Sequence, residues 1–199
     1  GDDNVGGLVG RNTNTVDNSY ATGNVTGDDN VGGLVGQNTN TVDNSYATGN
    51  VDAEDCCAGG LSGWIENYGS FSSNIENSYA TGDINADFCC GGGLAGWIED
   101  DTVVKNSYAT GDVYSESCCS GGFAGWVDDG AEVHDSYSTG DVTELGCCGG
   151  GFLGGIWGGT VTGSFSTGDV QGEDGYIGGF AGDIDNEVSG VVSRNIATG

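Results

Sequence analysis

Eight cysteines stand in four adjacent pairs: Cys56 with Cys57, Cys89 with Cys90, Cys118 with Cys119, and Cys147 with Cys148. Each pair ends two residues before a Gly-Gly, so the same thiol chemistry is presented four times in one local context. Three outcomes compete: disulfides between neighbouring segments, a vicinal disulfide ring within each pair, or a metal-thiolate cluster. Adjacent cysteines lack the Cys-x-x-Cys spacing of zinc sites, which disfavours the third. Paired cysteines favour an oxidising compartment, so all eight are expected to be oxidised and the chain extracellular or on a cell surface.

Two other sets of residues could do chemistry. Trp64, Trp97 and Trp126 each directly follow a Gly-Gly-[Leu/Phe]-x-Gly element, with Trp157 slightly out of step. Indoles exposed in a row would stack on sugar rings; their competing role is to shield the edge of a core. Asp83, Asp112, Asp141 and Asp169 recur at one position, continuing Asn24 and Asn50. Like charges on adjacent strands repel. A hard cation such as Ca²⁺ would offset that repulsion with oxygen ligands, although no complete calcium loop is present, and a solvated acidic ladder is the competing reading. The single histidine, His134, gives no basis for a triad or a His-rich metal site. With no nucleophile–base pair, phosphate loop or zinc signature, an enzyme is not expected, and no cofactor is expected beyond Ca²⁺.

The elements that must position these residues come from an internal repeat. A Gly-Gly-[Leu/Phe]-x-Gly element begins at Gly6, Gly32, Gly59, Gly92, Gly121, Gly150 and Gly178. A Ser-Tyr-Ala-Thr-Gly-like element follows each, ending at Gly23, Gly49, Gly82, Gly111, Gly140, Gly168 and Gly199. The repeats span residues 1–27, 28–54, 55–87, 88–116, 117–145, 146–173 and 174–199 of what reads as one solenoid domain. Their length differences concentrate between the two elements, which places variable loops along one edge.

Abundant Gly, Asn, Asp, Thr and Ser, without a 3.6-residue apolar period, argue against helices. Short apolar runs between Gly and Asn turns read as strands. Each repeat is too small to bury a core alone, so its neighbours must supply one. The expected fold is all-β, a parallel β-solenoid of about seven coils with roughly three short strands per coil. Stacking would form columns spaced by about 4.8 Å. Leu8, Leu34, Leu61, Leu94, Phe123, Phe152 and Phe180 form one core column, and Val25, Val51, Ile84, Val113, Val142 and Val170 another. Tyr20, Tyr46, Tyr79, Tyr108, Tyr137 and Phe165 are read as core packing as well. Asn18, Asn44, Asn77 and Asn106 are expected to form an amide ladder. At such spacing a zigzag of Cys57–Cys89, Cys90–Cys118 and Cys119–Cys147 disulfides would staple the coils.

Gly-Gly-Leu-Val-Gly at Gly32 to Gly36, with Asn-Ser-Tyr-Ala-Thr-Gly-Asn-Val at Asn44 to Val51, resembles the GLUG motif family of tandem repeats on bacterial and archaeal surface proteins. The resemblance implies a surface-exposed, adhesin-like or spacer role. It weakens in the last repeat, where Arg194, Asn195 and Ile196 replace Asn-Ser-Tyr. The paired cysteines depart from the usual motif, so the resemblance says little about them.

Three Lys and Arg against 30 Asp and Glu give a formal net charge of −27, which argues against nucleic-acid partners and anionic membrane surfaces. No run approaches the roughly 18 apolar residues of a membrane helix. The opening Gly1 reads as a processed form or an excerpt. Neither end resembles the polar cap of a solenoid, so self-association end to end into a filament is one expectation, and an excerpt from a longer adhesin the other. Two functions from different classes follow: a structural or adhesin-type fibre protein, and a module that binds cell-surface glycans through its Trp and Cys columns.

Overall fold

The computed structural model describes residues 3–67, 73–88, 90–116, 118–185 and 191–198. Those residues build a parallel β-solenoid with no helix. Each coil divides more finely than the sequence suggests, into five short strands instead of roughly three. In the second coil these are Asp29–Gly32, Val35–Asn38, Val42–Asp43, Tyr46–Ala47 and Val51–Ala53. Equivalent strands of successive coils pair in parallel, giving four sheets of seven strands and a fifth of six among the described residues. Among the described residues these make six coils of five strands each and four strands of a seventh.

Register is set by the repeat. Val51 pairs with Val25 and Ile84, Tyr79 with Tyr46 and Tyr108, and Trp97 with Trp64 and Trp126. Alternation within a strand then sorts the faces, as in Val51–Asp52–Ala53, which reads buried, exposed, buried. Leu34, Leu61, Leu94, Phe123 and Phe152 are wholly buried. Their column forms one core cluster with Ile65, Ile75, Ile98 and Val104. Val51, Ile84, Val113 and Val142 centre a second cluster. Only the end members escape: Leu8 is half exposed, because no coil covers it.

The Gly-Gly pair is required by close approach. A Cβ on Gly60 would lie 2.2 Å from the Gly93 carbonyl oxygen and 2.7 Å from Ala80 Cβ. The coil turns there with no room for a side chain.

Two expected columns behave differently from the sequence reading. Tyr20, Tyr46, Tyr79, Tyr108, Tyr137 and Phe165 do not enter the core; they stand half-buried or exposed on the outside of the coils. There each ring stacks on the next, with Tyr79 and Tyr108 centroids 4.8 Å apart and their planes nearly parallel. The preceding Ser and following Ala take the inward positions, so alternation turns the rings outward. Asn18, Asn44, Asn77 and Asn106 form a turn column instead of an amide ladder. Their φ values are 48°, 46°, 49° and 51°, and the same position holds Asp135, Gly163 and Arg194, also at positive φ. Asn, Asp and Gly tolerate the left-handed conformation best, which explains six of the seven members and leaves Arg194 as the exception.

Beside that turn runs a buried serine ladder. The backbone N–H of Ser45 donates to Ser78 Oγ at 3.1 Å, Ser78 N–H to Ser107 Oγ at 3.2 Å, and Ser107 N–H to Ser136 Oγ at 3.3 Å. Each Oγ in turn donates to a carbonyl two residues earlier, as Ser78 does to Glu76 at 2.7 Å. The Ser-Tyr-Ala element is thus a self-satisfying structural unit.

Candidate functional site

The second sheet carries the tryptophans. In its third, fourth and fifth strands (Ser62–Ile65, Ala95–Ile98, Ala124–Asp128), Trp64, Trp97 and Trp126 lie in register and half-buried. Trp64 and Trp97 have ring centroids 6.3 Å apart at a 36° tilt. The Trp126 ring lies over Gly155, where a Cβ would fall 2.0 Å from it. The column therefore ends on a glycine that gives the last indole its seat. Trp157 is displaced, pairing with Asp128, and is exposed.

Two residues after each of these indoles comes an acid: Glu66, Glu99 and Asp128. Sequence reasoning passed over this column, although Trp-Ile-Glu, Trp-Ile-Glu and Trp-Val-Asp carried the signal. Trp64 Nε1 donates to Glu99 Oε1 at 3.0 Å, and Gln37 Nε2 to Glu66 Oε1 at 2.5 Å. Burial pushes the Glu99 carboxyl up to about 7, helped by the charges of Asp100, Glu66 and Asp128 and opposed by the Trp64 bond. Burial likewise raises Glu66, Asp100 and Asp128. Glu66, Glu99 and Asp100 bring oxygens within 4.8 Å of one another, and so do Glu99, Asp128 and Asp129. Trp97 Nε1 is buried and has no hydrogen-bond partner.

The aspartate column expected to hold Ca²⁺ also accepts backbone hydrogen bonds from coil to coil. Asp112 N–H donates to Asp83 Oδ1 at 3.1 Å, Asp141 N–H to Asp112 Oδ1 at 2.9 Å, and Asp169 N–H to Asp141 Oδ1 at 2.9 Å. Asn24 and Asn50 accept in the same way from Asn50 and Asp83. One acceptor oxygen per residue meets the need, so Asn and Asp interchange. Among the described residues, this column supplies none of the close three-carboxylate groups found beside the tryptophans.

The cysteines line a neighbouring ridge. Pairing of the residues that follow them puts Cys57, Cys90, Cys119 and Cys148 at one position of successive coils, all of them buried. Cys119 and Cys148 form a disulfide between adjacent coils, with Cα atoms 4.5 Å apart. The bond thus joins like positions, and the expected zigzag partner of Cys119, Cys147, is exposed beside it. Of the three expected zigzag bonds, Cys119–Cys147 is therefore replaced by Cys119–Cys148, with the Cys147 sulfur within 4.8 Å of both. At the other end, the Cys56 and Cys57 sulfurs lie 2.6 Å apart, and Cys57 holds φ 39°, where Asn4 and Asn30 stand in the first two coils. Cys89 lies outside the described residues; Cys118 is half-buried on the outer column.

The two columns meet in a groove of about 270 Å³ lined by Asp29, Asn30, Cys56, Cys57, Trp64 and Trp97. Its walls combine indole faces, sulfur and a few amide and carboxylate groups, a mixture suited to a ligand with both apolar and hydroxyl surfaces. A larger groove of about 400 Å³ follows the Asn24–Asn50–Asp83 edge. There each acceptor ladder is already engaged by backbone amides, so the Trp–Cys groove is the better candidate.

The GLUG motif matches this chain five times, at residues 1–26, 27–52, 55–85, 89–114 and 116–143, together more than half of its length. Comparison with curated proteins found no match.

Proposed function

The chain belongs to the GLUG motif family, and from that premise we propose that it is an extracellular structural repeat protein of adhesin type, without enzymatic activity. The observation that carries this reading is the unbroken register of all five sheets, in which Ser, Tyr, Asn/Asp and core columns stack on themselves from coil to coil. Such a rod gives reach and rigidity, and its acidic surface resists collapse onto other anionic matter. Self-association is the finer part of the reading. In this reading the outward strand edges of the first and seventh coils are the two sides of one parallel joint, in which Leu8 would be covered. A second copy of this chain is the partner that fits them. Electron microscopy of the purified chain in high salt, with light scattering across a dilution series, tests this. Filaments that shorten on dilution are expected, and single rods at every concentration would overturn it.

The Trp–Cys groove favours a second reading, a glycan-binding surface on the same rod. On a glycan array, binding lost in Trp97→Ala with an unchanged circular dichroism spectrum would establish it. No binding by the wild-type chain would remove it.

A further inference from the structure

The Cys119–Cys148 bond is sealed from solvent, its members 3 % and 1 % exposed. Cys147 is exposed, yet its Sγ sits 3.5 Å from Cys148 Sγ. A solution reductant or oxidant therefore meets Cys147 first.

The surroundings hold these three sulfurs in place. Glu144 is wholly buried at a position occupied elsewhere by Gly27, Ala53, Ala86, Ser115 and Gly172. Ser120, which follows Cys119, donates its hydroxyl to Glu144 Oε2 at 2.5 Å. Gly146, which precedes Cys147, donates its N–H to Glu144 Oε1 at 2.7 Å. One buried carboxyl thus ties together the strand that follows one sulfur and the turn that precedes another. A polar group in that core column is costly unless it does such work.

We propose that Cys147, Cys148 and Cys119 form an internal thiol–disulfide exchange site that opens and closes the staple between the fifth and sixth coils. The exposed Cys147 side chain rotates to bring its thiolate into line with the Cys119–Cys148 bond and attacks Cys148 Sγ; the Cys147–Cys148 bond forms as the Cys119–Cys148 bond breaks, and the electron pair leaves on Cys119. Cys119 takes up the proton that Cys147 released. One disulfide and one thiol stand on each side, so the step needs no external oxidant or reductant. A bond across two coils becomes a ring within one, with an exposed member that a small dithiol can reduce.

The test is the rate at which a dilute dithiol opens the Cys119–Cys148 bond in the native, full-length chain. Samples are acid-quenched, unfolded, blocked with a maleimide and mapped by mass spectrometry. Cys147→Ser is expected to slow opening by about tenfold or more, while Cys118→Ser leaves it unchanged. A Cys147–Cys148 peptide is expected at partial conversion in the wild type. An unchanged rate in Cys147→Ser, equal slowing in Cys118→Ser, or absence of that peptide would each overturn the proposal. Glu144→Gln, which keeps the shape and loses the charge, separates positioning from folding. With its melting curve intact it should still lower the yield of the Cys147–Cys148 peptide, and an unchanged yield would remove Glu144 from the site.

Discussion

The Ser-Tyr-Ala-Thr-Gly side and the Cys–Trp side of this solenoid are built on the same backbone but obey different rules. On the first, nearly every coil repeats the same residues, and each residue's needs are met by its copy above or below: Ser78 N–H finds Ser107 Oγ, and Tyr79 stacks on Tyr108. On the second, the chemistry begins only in the third coil. Arg11 and Gln37 precede Trp64 in one column, and Asn4 and Asn30 precede Cys57 in the other. Here carboxyls crowd one another, an indole nitrogen lacks a partner and a cysteine takes a left-handed backbone. Regular stacking stabilises; departures from it concentrate strain where a ligand or a reaction can relieve it.

Substitutions on the two sides should separate these roles. The largest effect is expected for Gly111→Ala on the regular side, where a Cβ would fall 1.9 Å from the Gly82 carbonyl oxygen. Backbone must move, and a loss of about 3 kcal/mol in chemical denaturation is expected. A loss below about 1 kcal/mol would show that the turn stack is looser than its geometry implies. Tyr108→Ala removes two ring stacks and should cost about 1–3 kcal/mol. Trp97→Ala, by contrast, should cost less than Tyr108→Ala, and the reverse order would make the indoles primarily structural.

The smallest effect is one of pH. Glu99 titrates at about 7 when folded, against an ordinary 4.5, so the folded chain holds this proton more tightly than the unfolded one. Its contribution to stability is complete below 4.5 and is lost as pH rises through about 7. The melting temperature should therefore fall across that window, and Glu99→Gln should flatten the decline. An identical slope in the variant would assign the decline to the other carboxyls or to overall charge repulsion.

Much of the architecture was legible before any coordinates. Fixed spacing of Gly-Gly-Leu, Ala-Thr-Gly and Val predicted the coil, its parallel register and both core columns, because one residue slipped would turn every side chain to the wrong face. The tyrosines were harder. An aromatic at constant spacing reads as core, and only alternation about the buried Ser and Ala shows that the rings face outward. Within the candidate groove the tryptophan alignment was readable, whereas the acids two residues beyond were hidden by the long, variable segment that follows them.

The sequence by itself determined the repeat, its phase, the four cysteine pairs and the acidic surface, since each is a property of order along the chain. Only the tertiary structure decided which sulfur meets which, that Asp83 to Asp169 serve backbone amides, and that Glu144 is buried beside Cys147. Those outcomes depend on which way a side chain points and what the next coil places within about 3 Å of it. Spacing along the chain cannot specify that, because it fixes which residues share a level of the stack and not which of their atoms meet.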